Sequence, residues 1–150
     1  MRLTRTFLCW IMIAAGPCAP ALAALGGDAA SVEADRASMK GALRVMAATG
    51  FTVHEIQTSA GMVIHEYLSA DGRVFALSWR GPGVPDLQQM LGSYYGQFVR
   101  ARSAPHYNHH HLSVHAPDVV VESSGHARAF FGRAWAPALL PQDLSLAEIN

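Results

Sequence analysis

The sequence predicts an α+β fold in which two helices pack on one face of an antiparallel sheet of about five or six strands. Two stretches repeat apolar residues at helical spacing, and the segments that follow each of them are short and rich in β-branched and aromatic residues. The connections between these segments are too short for parallel crossovers, so the strands must be antiparallel. Helices on one face of such a sheet satisfy the layer rule for α+β domains.

Residues 1–23 have the layout of a secretory signal peptide. Arg2 and Arg5 precede the apolar run Phe7–Ala15, which is too short to span a bilayer, and Ala21-Leu22-Ala23 has the pattern of a cleavage site. We therefore expect export by general secretion to the periplasm or the medium, with cleavage after Ala23. The mature chain, residues 24–150, would form a single domain with a flexible lead-in at residues 24–30 and no membrane span.

Cleavage would also change the chemistry of the chain. Cys9 and Cys18 are the two cysteines, and both lie in the removed segment, which excludes disulfides and thiolate chemistry in the mature protein. The full chain has 11 basic and 11 acidic residues, and the loss of Arg2 and Arg5 leaves a slight excess of acids. This balance provides no basic surface for nucleic acid or an anionic membrane.

The first helix is expected to begin at Ser31, which can cap it, and to end at Thr49-Gly50. Glu33 and Asp35 would lie near its positive end. One apolar face is traced by Val32, Met39, Leu43 and Met46.

Three strands follow the first helix, at Phe51–Thr58, Met62–Ser69 and Arg73–Arg80. Turns at Ser59-Ala60-Gly61 and Asp71-Gly72 join them into a meander. The third strand alternates, with one face formed by Phe75, Leu77 and Trp79 and the other by Val74, Ala76 and Ser78.

The second helix opens at Pro85-Asp86 and has the strongest helical pattern in the chain. Its apolar stripe consists of Leu87, Met90, Leu91, Tyr94, Tyr95 and Phe98. Gly92 and Gly96 lie four residues apart within it, which suggests that another backbone packs closely there.

The last third of the chain begins with a polar loop at Ser103–His111, followed by a short strand at Leu112–His115. A final hairpin, Val119–Ser123 and Ala127–Trp135, would turn at Ser124-Gly125, and the tail would form one helical turn near Leu146. Both hairpins run from a glutamate through a glycine to a tryptophan, which suggests an old helix-plus-hairpin duplication. The alternative is a chance likeness between two hairpins.

Several motifs resemble those of a known family. They are Ala24-Leu25-Gly26-Gly27, Thr52-Val53-His54-Glu55, Glu66-Tyr67, Gly72-Arg73-Val74-Phe75-Ala76, Trp79-Arg80-Gly81-Pro82, Pro85-Asp86-Leu87, Val120-Val121-Glu122-Ser123, Ala129-Phe130 and Gly132-Arg133-Ala134. In this order they are similar to a family of exported proteobacterial proteins known as domain of unknown function twenty-eight forty-four. The resemblance implies export and covers nearly the whole mature chain, but it implies no activity.

The most conspicuous local feature of the sequence is a cluster of five histidines: His106, His109, His110, His111 and His115. Imidazoles bind zinc, copper and nickel, so these residues are candidate metal ligands. Their spacing matches no defined site, and the alternative is a solvated loop that binds metal weakly. No other cofactor is indicated.

Two His-Glu dipeptides, His54-Glu55 and His65-Glu66, are the candidate catalytic residues. If the first hairpin turns near Ala60, Glu55 lies opposite His65 and His54 lies opposite Glu66. Such cross-strand pairs could transfer protons, or they could stabilise the sheet as simple opposite-charge pairs. Arg128 and Arg133 could form a polar network with Glu122.

The sequence contains no P-loop, dinucleotide fingerprint, Gly-x-Ser-x-Gly elbow or His-Glu-x-x-His motif. The function expected is therefore a non-catalytic periplasmic binding or accessory module whose partner is another envelope protein. The alternatives are a small periplasmic enzyme that uses the His–Glu pairs, and a weak metal-binding protein. A cleft lined by converging polar groups would favour the enzyme, and a flat exposed aromatic patch would favour the partner protein.

Overall fold

The structure, a computed structural model, describes residues 25–102 and 111–150. The predicted signal peptide and the histidines at 106, 109 and 110 lie outside the described residues. The helices are α1 (Ala29–Met39), α2 (Leu87–Leu91) and α3 (Tyr95–Arg102), with 3-10 turns at Gly92–Tyr94, Pro137–Leu139 and Leu146–Glu148. The strands are β1 (Ala42–Ala48), β2 (Phe51–Gln57), β3 (Val63–Ser69), β4 (Val74–Gly81), β5 (His111–His115), β6 (Val120–His126) and β7 (Ala129–Trp135). Within these ranges, no helix is long and apolar enough to cross a membrane.

All seven strands form one antiparallel sheet in the order β1-β2-β3-β4-β7-β6-β5. The α+β class and the antiparallel meander are confirmed. The predicted number of five or six strands is wrong, because the residues of β1 were predicted to be part of the first helix.

The first helix is shorter than predicted because the chain leaves the helical conformation at Lys40. Asp28, rather than Ser31, caps α1: its carboxylate accepts a hydrogen bond from the Ser31 amide at 3.0 Å. Lys40 has a left-handed backbone (φ 52°) that ends the helix, and Ala42–Ala48 continue as β1. The composition of this segment favours a helix, but its pairing with β2 along its full length outweighs that propensity.

The second predicted helix is interrupted at Gly92, which ends α2 with φ 49° and ψ −120°. The apolar stripe still faces the sheet, since Leu91 and Phe98 are buried. The hypothesis that another backbone packs closely on this glycine face is wrong at Gly96. Gly96 is exposed, and a Cβ atom added there would meet only the side chain of Arg100, at 3.5 Å.

These two glycines should respond in opposite ways to alanine. We expect Gly92→Ala to lower the free energy of unfolding by about 1–3 kcal/mol, because alanine is strained at that backbone conformation. Gly96→Ala should raise it by up to about 1 kcal/mol through better helix propensity. Urea melts of the two variants check this, and a destabilising Gly96→Ala would restore the packed-glycine hypothesis.

Both faces of the sheet are covered. The first-face core combines the helices with the strands and includes Val32, Ile56, Ile64, Leu77, Trp79, Met90, Leu91, Phe98, Val121 and Ala134. The second-face core forms where the segment 136–150 crosses the other side, and it includes Phe51, Tyr67, Phe75, Trp135 and Ile149, with Leu139, Leu140 and Leu144 packed against them. The predicted helical turn near Leu146 is confirmed, and it belongs to this segment.

A bulge in β4 places two consecutive residues on the same face of the sheet. Tyr67 pairs with Ala76 and Leu68 pairs with Val74, which leaves Phe75 as the extra residue. Phe75 and its neighbour Ala76 therefore both pack in the second-face core, while Val74 and Leu77 pack in the first-face core. The strict alternation predicted for this strand is wrong at its start.

The last hairpin turns at Ala127-Arg128, where Arg128 has φ 68°. The turn predicted at Ser124-Gly125 is wrong, because Gly125 lies inside β6. A Cβ atom there would lie 2.5 Å from the carbonyl oxygen of Ala129, so the glycine serves the close approach of β7 instead of a turn. A left-handed backbone at an arginine carries some strain.

The arrangement of strands resembles a duplication, since two meanders, β2-β3-β4 and β5-β6-β7, meet at the β4–β7 pair. Antiparallel halves related by a two-fold axis would keep equivalent residues on one face. Trp79, however, lies in the first-face core and Trp135 in the second. The two tryptophans therefore do not occupy equivalent positions, although the two hairpins are similar in sequence.

Candidate functional site

The two His–Glu pairs form in the predicted register but lie on opposite faces of the sheet. His54 is opposite Glu66, and Glu55 is opposite His65. Because neighbouring residues of a strand point to opposite faces, the first pair lies on the helix-covered face and the second pair on the other. The four candidate catalytic residues therefore form two separate pairs, one on each face of the sheet.

On the helix-covered first face, two carboxyl groups are buried in the core. Glu66 is 0 % exposed and Asp35 of α1 is 1 % exposed. Gln89 donates a hydrogen bond to one Asp35 oxygen, while the other Asp35 oxygen and both Glu66 oxygens have no N–H or hydroxyl donor in the described chain. The two carboxyl groups interact, and the charge of Asp35 opposes the ionisation of Glu66.

This environment raises the pKa of both acids. Burial, reinforced by the charge of Asp35, raises the pKa of Glu66 to about 8. Burial also raises the pKa of Asp35 to about 6, although the hydrogen bond from Gln89 opposes the shift. Burial lowers the pKa of His54, whose buried Nδ1 has no partner among the described residues. Burial and the charge of Asp35 therefore favour the protonated form of Glu66 at neutral pH.

A raised carboxyl pKa often marks a catalytic acid, but this pair is closed off from solvent. In this conformation it belongs to the interior of the fold and does not contact a substrate. Asp35 was predicted to lie at the positive end of a helix, but its burial was not predicted. Its spacing was the available signal, since Asp35 lies three residues after the buried Val32 and so shares its helix face.

On the second face, a row of polar residues crosses the whole sheet. Cross-strand pairing aligns Arg44, Glu55, His65, Ser78, Arg133, Glu122 and Ser113, one from each strand. Charges of opposite sign are neighbours in this row, which is favourable on a sheet surface. Only part of the row was predicted, because it draws on strands far apart in sequence.

Both ring nitrogens of His65 lie within hydrogen-bond distance of an oxygen atom at the centre of the row. Its Nε2 lies 3.1 Å from Glu55 Oε2, and its Nδ1 lies 3.0 Å from the main-chain oxygen of Asn150. Ser78 Oγ and the Tyr67 hydroxyl donate to the same Asn150 oxygen at 2.9 and 2.8 Å. Both ring nitrogens of His65 therefore face oxygen atoms of other residues, and the hydroxyl of Ser78 donates to Asn150.

Arg133 and Glu122 form the second polar contact in the row. Arg133 Nε and Nη2 each lie 2.8 Å from Glu122 Oε2, and Nη1 donates to the main-chain oxygen of Leu146 at 2.8 Å. The guanidinium also stacks over Trp135 at 5.2 Å from the ring centre. The predicted network thus contains Arg133 and Glu122, whereas Arg128 lies apart from it in the β6–β7 turn.

Two adjoining clefts open beside this row. The second-face cleft has a volume of about 610 Å³, and its lining includes His65, Ser78, Glu122, Arg133, Phe131 and Asn150. The strand-end cleft has a volume of about 890 Å³, and its lining includes Gly61, Arg80, Pro82, Arg128, Phe130 and Phe131. Val63, Arg80 and Phe131 line both, so the clefts are continuous. Phe131 is 60 % exposed there.

The structure describes two of the five candidate metal ligands, His111 and His115, and both lie on β5. They are four positions apart on the strand, a distance of about 13 Å, which is too long for both side chains to bind one ion. His111 Nδ1 lies 2.5 Å from Ser124 Oγ, and His115 Nε2 lies 3.1 Å from Ser113 Oγ. The described segments contain no group of three or more metal-ligating side chains. Metal binding by His106, His109 and His110 stays a prediction.

Comparison with known proteins identifies the family. Residues 21–149 match a family described as "Protein of unknown function (DUF2844)". No curated protein and no solved structure matches the chain. The match covers most of the sequence and confirms the resemblance that its motifs indicated, and the chain therefore belongs to this family of proteins of unknown function.

Proposed function

We propose that this protein is an exported, non-catalytic binding module of the cell envelope whose ligand lies in the second-face cleft. The observation that carries the proposal is the cleft itself, a concave surface of about 610 Å³. Its polar side chains are already held by hydrogen bonds, and the exposed ring of Phe131 supplies apolar contact area. Preformed concavities with a few fixed polar groups are typical of ligand sites.

An enzyme is the second candidate, because His65, which contacts Glu55, lines this cleft beside Ser78. In a nucleophile–base pair, however, the serine hydroxyl donates to the histidine. Ser78 donates instead to the main-chain oxygen of Asn150, which also lies 3.0 Å from His65 Nδ1. The arrangement supports binding over acyl transfer in the present conformation.

A fragment titration followed by amide chemical shifts tests the binding proposal. We expect the perturbed amides to converge on the second-face cleft, and Phe131→Ala to weaken binding severalfold by removing the exposed ring. Val45→Ala is the matched control, since Val45 is 56 % exposed on the opposite face at the edge of the sheet. Shifts that map elsewhere would contradict the proposal. Turnover of a model ester that is lost in His65→Gln would favour the enzyme.

Export is proposed from the charged and apolar pattern of residues 1–23, and the start of the family match at residue 21 supports a division at this point. The partner proposed is another envelope protein or a ligand that such a protein delivers. We expect the mature protein to begin at Ala24. Intact mass of the periplasmic fraction checks this, and recovery of the uncleaved chain from the cytoplasm would contradict it.

A further inference from the structure

The strand-end cleft carries positive charge that the described residues do not neutralise. Arg80 at the end of β4 and Arg128 in the β6–β7 turn line this cleft with His126, and no acidic side chain of the described chain lines it. Neither guanidinium has an ion-pair or hydrogen-bond partner among the described residues. Arg133, by contrast, is engaged by Glu122 in the adjoining cleft.

This local charge does not reflect a basic protein. The whole chain has equal numbers of basic and acidic residues. Glu122 lines the adjoining second-face cleft, where it accepts a hydrogen bond from Arg133. An anion that reaches the strand-end cleft therefore meets a local excess of positive charge.

An exposed aromatic ring adjoins the positive charge. Arg80 is directly opposite Phe131 in the β4–β7 register, so the two side chains are neighbours on the same face. Phe131 lines both clefts and remains 60 % exposed. A guanidinium beside an open phenyl ring suits a ligand with an anionic group next to an apolar part.

We infer that the strand-end cleft is the anion-binding end of the ligand site. Arg80 and Arg128 bind the carboxylate or phosphate of a small organic anion, and its apolar part contacts Phe131 at the junction with the second-face cleft. Arginine suits both anions because its planar donors match their oxygens. This inference rests on the proposed binding function and adds the chemical class of the ligand.

The test titrates the purified protein with phenyl phosphate and benzoate, with uncharged benzyl alcohol and inorganic phosphate as comparisons. Amide chemical shifts locate and quantify the binding. We expect saturable shifts at Arg80, Phe131 and the β6–β7 turn, and at least one organic anion should bind about tenfold more tightly than benzyl alcohol. Whichever of phenyl phosphate and benzoate binds more tightly identifies the anionic group.

Arg128→Gly is the informative variant, because glycine adopts the left-handed backbone of this turn without strain. We expect it to melt no lower than the parent and yet to bind the preferred anion about tenfold more weakly. Arg80→Gln should weaken binding similarly. Arg100→Gln, which removes the same charge from the exposed surface of α3, should have no effect.

Three outcomes would overturn the inference: equal binding of the organic anions and benzyl alcohol, unchanged binding by Arg128→Gly, or shifts that map outside the strand-end cleft. If inorganic phosphate binds as tightly as phenyl phosphate, the assigned role of Phe131 is wrong. If benzyl alcohol and the anions all bind equally in the second-face cleft, the charge inference fails and the proposed binding function stands. If none of them binds in either cleft, and the fragments also bind elsewhere, the binding function fails too.

Discussion

Replacing Glu66 with glutamine should stabilise the protein at pH 8 by a few kcal/mol, at about 1.4 kcal/mol per unit of pKa displacement. Glu66 is fully buried, and its two oxygens lack an N–H or hydroxyl donor in the described chain. A glutamine has nearly the same shape and carries no charge. Its amide can donate to the Asp35 oxygen that now has no such donor.

The sign of the pH dependence follows from the direction of the shifts. Burial and Asp35 raise the pKa of Glu66 from 4.5 to about 8, so the unfolded chain loses this proton at a lower pH than the folded chain. The stability contributed by protonated Glu66 is therefore complete below about pH 4.5 and is lost as the pH rises through about 8. Burial lowers the pKa of His54, so that residue opposes this trend only below about pH 6.5.

Thermal or urea melts between pH 6.5 and pH 9 isolate the contribution of Glu66. We expect the parent protein to lose stability as the pH rises to about 8 and to level off above it, and Glu66→Gln to show a much flatter profile. Glu33→Gln is the matched control: Glu33 is exposed on α1, and its ion pair with Arg36 lowers its pKa, so it titrates below this range. Parallel profiles for the parent and Glu66→Gln would show that Glu66 is not protonated in the core.

The β2–β4 meander could be predicted from sequence because local signals fix it. Gly61 and Gly72 both adopt positive φ at the turns, and the alternation of the strands sets which residues meet. The pairing of Glu55 with His65 follows from the first turn alone. Strand β1 could not be predicted in this way, because its residues favour a helix and only its pairing with β2 makes it a strand.

The candidate site was predictable to a smaller extent, because it is assembled from distant segments. The main-chain oxygen that engages His65 belongs to Asn150, 85 residues further along the chain. Arg80 and Phe131 become neighbours only when β4 pairs with β7. Composition and spacing identify residues that can bind or titrate, but the pairing of remote strands decides which of them meet.

The second large effect is expected in the first-face core, where Leu91→Ala should lower the free energy of unfolding by about 2–5 kcal/mol. Leu91 is 0 % exposed at the end of α2, and truncation leaves a cavity that the surrounding core fills only partly. Losses of this size are a large fraction of the 5–15 kcal/mol typical of such domains.

Gln88→Ala provides the matched control for Leu91→Ala. Gln88 lies on the same short helix and is exposed, so its truncation should change the free energy of unfolding by no more than about 0.5 kcal/mol. Urea melts of both variants at pH 6.5, where Glu66 retains its proton, keep the carboxyl pair from contributing to the difference. Similar effects for the two variants would mean that α2 does not pack on the sheet through Leu91. A large loss for Leu91→Ala alone supports the helix-covered face that seals Asp35 and Glu66.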